Sequence, residues 1–143
     1  MKTIIVGLIM TVLLTGLSST NSSLKKGSMV SVHVVALKLN LGVNIDEFRD
    51  FYTKNAIPEF EKNFPGVREF FIKGIRGEDL GAVGVIYLFE SESVRDKYFR
   101  DGGIDGIYTE LGKACDEKNK TMNEKVAKFV ASSSRKFTDW IIQ

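Results

Sequence analysis

Apolar and polar positions alternate in three clear ways along this chain. Val30 to Leu39 reads as a first strand, with Val32, Val34 and Ala36 on one face and His33, Val35, Leu37 and Leu39 on the other. Both faces are mostly apolar, so both are expected to be covered. After a Leu41-Gly42-Val43 turn, Asn44 is the expected N-cap, with Glu47 completing a capping-box-like start. Ile45, Phe48, Phe51, Tyr52, Phe60 and Phe64 then recur at helical spacing. Pro58 lacks a backbone donor and predicts a kink or break near Ala56 and Ile57, and Pro65-Gly66 ends the element.

Val67 to Ile75 and Ala82 to Glu90 are rich in β-branched and aromatic residues and flank a turn bracketed by Gly77 and Gly81, which predicts a β-hairpin. Ser91 or Ser93 is expected to cap a helix from Glu92 to Phe99, and Asp101-Gly102-Gly103 to break it. Ile104 to Cys115 and Met122 to Val130 read as two further helical pieces. Ser132-Ser133-Ser134 reads as a loop, and Phe137 to Ile142 as a terminal strand. The order β-α-β-β-α-β predicts an α+β, ferredoxin-like domain: a four-stranded antiparallel sheet with helices on one face. An apolar second face calls for a partner, and a second copy of the chain is the simplest one.

The start of the chain has a different pattern. Lys2 is the only charge before Lys25, Thr3 to Leu17 are apolar, and Ser18 to Ser23 are small and polar. These features describe an export signal over residues 1–23, cleaved between about Ser18 and Ser23. The apolar run is shorter than the roughly 20 residues that span a bilayer comfortably. The expected organisation is a signal at 1–23, a linker at 24–29 and one domain at 30–143. The mature protein is then periplasmic or secreted, with no membrane partner.

Composition narrows the chemistry. The chain has 143 residues and a formal net charge of +2, with 20 Lys and Arg against 18 Asp and Glu. That balance offers no electrostatic case for nucleic acid, and the strand Gly81 to Tyr87 lacks the basic and aromatic pattern of an RNA-binding sheet. One His and one Cys leave no zinc-type ligand set, so neither a metal nor another cofactor is expected. Cys115 reads as a small packed residue rather than a nucleophile. Glu78 and Asp79 share one exposed turn and read as solvated, because an acid–base pair needs separate environments. Two glycosylation patterns occur, at Asn21 and Asn119.

The segments F-R-D-F-Y-T-K-N-A-I-P-E-F-E-K-N-F-P-G-V from Phe48, the R-G-E turn from Arg76, Y-L-F-E-S from Tyr87, R-D-K-Y-F from Arg95 and T-D-W-I-I from Thr138 resemble the dimeric α/β-barrel superfamily. That group includes stress-responsive barrel proteins, antibiotic-biosynthesis monooxygenases, and EthD- and NIPSNAP-like proteins. The resemblance runs from about Val30 to Gln143. It implies two protomers packed sheet to sheet, with a ligand pocket between sheet and helices in each. Several relatives carry a His two residues before the first-helix proline; Ala56 stands there in this chain, so chemistry assigned to that His does not transfer.

Two functional expectations follow. The first is a non-catalytic dimeric module that binds a small apolar or aromatic molecule. The second is a cofactor-independent monooxygenase or isomerase-like enzyme. In that reading His33 is the acid–base residue, and Tyr52, Tyr87 and Trp140 line the pocket around it. A packed, hydrogen-bonded His33 is the competing reading of the same pattern.

Overall fold

The computed structural model describes residues 24–100 and 108–143. The expected export signal and the Asp101-Gly102-Gly103 breaker lie outside them.

The elements are β1 (Met29–Leu39), α1 (Ile45–Phe51), a π-helical turn (Tyr52–Ala56), α2 (Ile57–Asn63), β2 (Val67–Lys73), β3 (Val83–Phe89), α3 (Glu92–Tyr98), α4 (Glu110–Ala127) and β4 (Val130–Ile141). The strands form one sheet in the order β2-β3-β1-β4, and every pairing is antiparallel. This is the ferredoxin-like α+β fold, as the element order predicts.

Side chains sort by register into two faces. On the inner face, Val67, Phe89 and Met29 sit opposite one another across neighbouring strands, and Phe71, Val85, His33 and Phe137 make a parallel row. The inner apolar residues pack against Phe64, Tyr98, Phe99 and Cys115 to make the core. The outer face carries Val30, Val32, Val34, Ile72, Ile86 and Leu88, with Phe70 and Trp140 exposed at 44% and 59%.

Local expectations at the helix starts hold. The Asn44 side chain accepts from the Glu47 N–H at 2.8 Å, and the Ser91 hydroxyl accepts from Val94. Gly77 and Gly81, both at positive φ, shape the hairpin turn. Asn119 is buried and its amide oxygen accepts from Asn63 at 2.6 Å, so the folded chain hides that glycosylation pattern.

Four expectations are corrected. The Pro58 kink takes the form of a π turn: the Ile57 N–H reaches back to the Tyr52 carbonyl, and the helix continues through the proline. A wider turn accommodates a residue that cannot donate, without ending the helix. Between Glu110 and Ala127 the two expected late helical pieces form the single helix α4, Val130 belongs to β4, and residues 104–107 lie outside the described residues. The Ser132-Ser133-Ser134 loop is strand: the long β1 edge supplies partners for its backbone, which outweighs serine's turn preference. The domain also begins before Val30. Met29 is buried in β1, Gly27 N–H bonds the Ile142 carbonyl, and Ile142 N–H bonds that of Ser28, so part of the expected linker belongs to the sheet.

Phe64 has no exposed surface and stacks on Phe60 at a centroid distance of 4.5 Å. Phe64→Ala is expected to cost about 3–5 kcal/mol in a urea titration. Leu41→Ala, fully exposed, is expected to stay within about 0.5 kcal/mol.

Candidate functional site

A polar row crosses the inner face between two apolar ones. The register sets Glu69 of β2 opposite Tyr87 of β3, Tyr87 opposite Ser31 of β1, and Ser31 opposite Asp139 of β4. Glu69 is 4% exposed. The Tyr52 hydroxyl, at the start of the π turn, donates to Glu69 Oε1 at 2.6 Å, and the Tyr87 phenol hydrogen-bonds within the same group. Glu61 accepts from the Glu69 backbone N–H at 2.9 Å and pairs with Arg68, bracing β2 from α2.

Two adjoining hollows lie between the sheet and the helices. The outer cleft, about 430 Å³, is walled by Val35, Leu37, Phe48, Phe71 and Val83 from one side and Val126, Ala127 and Val130 from the other. The inner chamber, about 180 Å³, is lined by Glu69, Tyr52, Tyr87, Tyr108, Asp116 and Asn119, with Ala56 and Phe60 beside them. Tyr52, Asn123, Val126 and Arg135 border both hollows. The site is thus an apolar cleft lying beside a more polar hollow.

Burial governs the electrostatics. It pushes the Glu69 carboxyl up to about 7; the hydrogen bonds from Tyr52 and Tyr87 pull the other way, and the Glu61 charge adds to the rise. Burial, reinforced by the Glu69 charge, raises both phenols well above their ordinary range. His33 moves oppositely: burial lowers it to about 4, Arg135 adds to this, and Asp139 opposes it.

The expected pocket residues separate. His33 is completely buried, with Nε2 2.8 Å from the Ser31 hydroxyl, its ring stacked on Phe137 at 5.2 Å and set edge-on to Tyr87 at 5.1 Å. It borders neither hollow. Tyr52 and Tyr87 do meet at the inner chamber. Trp140 does not: it lies opposite Val30, on the outer face, because the strand period carries it to the other side from His33. Glu69 was missed by the sequence reading. Its signal is a carboxylate in phase with Val67 and Phe71, its apolar neighbours on either side along the inward face of the strand. Cys115 is buried, and its burial pushes the thiol up, consistent with a packed side chain. Among the described residues, no group of three or more His, Cys, Asp or Glu could hold a metal ion.

No family model matches this chain, and no curated protein does. Among solved structures it is similar to a dimeric protein of unknown function and ferredoxin-like fold from Bacteroides fragilis. The two are 12% identical, the match covers 82% of this chain and 98% of that one, and the TM-score is 0.41.

The two displaced titrations oppose each other in stability. Glu69 stabilises the fold fully below its ordinary value of 4.5, and this is lost as pH rises to about 7. His33 stabilises it fully above 6.5, and this is lost as pH falls towards 4. Glu69→Gln removes only the first. Its stability relative to wild type is therefore expected to increase with pH, by about 1.4 kcal/mol per unit between about pH 5 and 6.5. Urea titrations of both proteins across that range check this; a constant difference would refute it.

Proposed function

We propose that this protein is an exported homodimer that binds a small, flat, mainly apolar molecule with one polar end. The carrying observation is the apolar cleft that shares Tyr52, Asn123, Val126 and Arg135 with the adjoining Glu69–Tyr52–Tyr87 chamber. Such a site takes the apolar body of a ligand between Phe48, Phe71 and Val126, and its polar end among the phenols and Arg135. The resemblance to the dimeric α/β-barrel superfamily supports the same location.

Self-association is supported by the outer face. Half-buried Val30, Val32 and Ile86 at its centre, and exposed Phe70 and Trp140 on its flanks, make this face apolar. A stable dimer buries on the order of 1,600 Å² in total, which a sheet face can supply. Export rests on the pattern before Lys25 alone. Mass spectrometry of protein from its native host tests it, and an intact Met1 to Leu17 segment in the mature protein would refute cleavage.

The binding reading is tested with 1-anilinonaphthalene-8-sulfonate, an aromatic probe with an anionic end. Wild type is expected to enhance its emission, and Val126→Trp, which fills the cleft, is expected to lose most of that signal. An unchanged signal in Val126→Trp counts against the cleft. In sedimentation at micromolar concentration, wild type is expected as a dimer and Val32→Glu, which puts a charge at the centre of the outer face, as a monomer. A wild type that sediments only as monomer removes the dimer.

A further inference from the structure

We propose that Glu69 is the proton-transferring residue of an isomerase site acting on an enolisable cyclic or aryl ketone. This rests on the small-molecule reading of the cleft and adds a reaction to it. It moves the chemistry from His33, which is packed away from both hollows, to a residue that borders one.

The geometry carries the argument. Glu69 projects inward from β2 and is almost wholly buried, yet it lines the inner chamber. A ligand whose apolar ring fills the outer cleft brings its polar end to this carboxyl. The Tyr52 phenol fixes one carboxyl oxygen at 2.6 Å, and that phenol is itself placed by the π turn. Alanine at position 56 keeps the adjoining wall small. Tyr87, on the neighbouring strand, presents a second phenol to the same chamber, and Arg135 borders both hollows. A carboxyl, two phenols and a guanidinium therefore surround the place where the ketone oxygen and its adjacent carbon would lie.

The reaction balances without a co-reactant. The Glu69 carboxylate takes a proton from the carbon next to the carbonyl. The C–H electron pair becomes a C=C bond, and the carbonyl π pair moves to oxygen. That enolate oxygen accepts a hydrogen bond from a phenol in the positive field of Arg135. Glu69 then returns its proton, either to the same carbon or to the far end of a conjugated system, and the carbonyl re-forms. Nothing is oxidised or reduced. A carboxyl that titrates near neutrality suits both halves of this cycle. The groups that bear on its charge state are Glu61 from α2, Tyr52 from the π turn, Tyr87 from β3, and Arg135 of β4 acting on both phenols.

The test uses 2-tetralone in D₂O, with deuterium entry at its acidic carbon followed by NMR and its binding read from displacement of anilinonaphthalene sulfonate. Wild type is expected to speed exchange at least about 100-fold over buffer, with a rate that rises through about pH 7. Glu69→Gln is expected to lose that acceleration while still binding the ketone and unfolding cooperatively. Glu69→Asp, which keeps a carboxylate, is expected to retain part of it, and serves if the glutamine variant does not fold. Exchange by Glu69→Gln equal to wild type, or no acceleration by a wild type that binds the ketone, overturns the proposal and leaves the binding reading standing. A wild type that binds neither the ketone nor the probe overturns both.

Discussion

The pairing of β1 with β3 on one side and β4 on the other holds this domain in register. Met29 to Val35 face partners on both neighbours, and the pairing with β4 continues to Leu39 across an irregularity at Lys38. A slip of one residue would turn His33, Ser31 and Met29 outward and bring Val30, Val32 and Val34 against the helices. It would also break the row from Glu69 through Tyr87 and Ser31 to Asp139. The apolar rows on either side make such a slip costly. The polar row between them is thus kept in place by its neighbours rather than by its own bonds.

That row carries a cost which packing alone does not justify. A buried carboxyl is favourable only when its charge is neutralised or its oxygens are bonded. Glu69 shows both remedies, a pKa raised to near neutrality and a short bond from Tyr52. An apolar residue there would continue the sequence Val67, Phe71 without either. His33 is the contrasting case: burial holds it neutral, Ser31 meets one ring nitrogen, and two aromatic rings enclose it. One buried titratable group is sealed into the core, while the other opens onto a chamber.

Much of the fold was legible in the sequence, for identifiable reasons. The alternation in Val30 to Leu39, the Gly77 and Gly81 turn and the Asn44 and Ser91 caps are local signals, and each has its expected geometry. The misread segments answer to distant partners. Ser132 to Ser134 extend because Ala36 to Lys38 lie alongside, and the helix survives Pro58 because a π turn absorbs the lost donor. The site was harder. His33 and Tyr87 were expected to meet, and their rings do, at 5.1 Å, but which face Trp140 takes depends on a register fixed only by pairing. Glu69 was overlooked because charged residues flank so many strands. Only its phase with Val67 and Phe71 sets it apart.

The two faces of the sheet divide the work. The outer face is apolar at its centre, and the described helices pack on the other side of the sheet, so its natural complement is another flat surface. The inner face is interrupted by the polar row, and the helices above it leave space where that row meets the π turn. Tyr52 belongs to both features: it begins the turn that accommodates Pro58, and its hydroxyl reaches Glu69. An undisturbed α-helix would advance later residues by a different angle, since a π turn inserts one extra residue per turn. The irregularity that lets the helix pass a proline therefore sets the position of Ala56 relative to Tyr52, and with it the wall of the inner chamber.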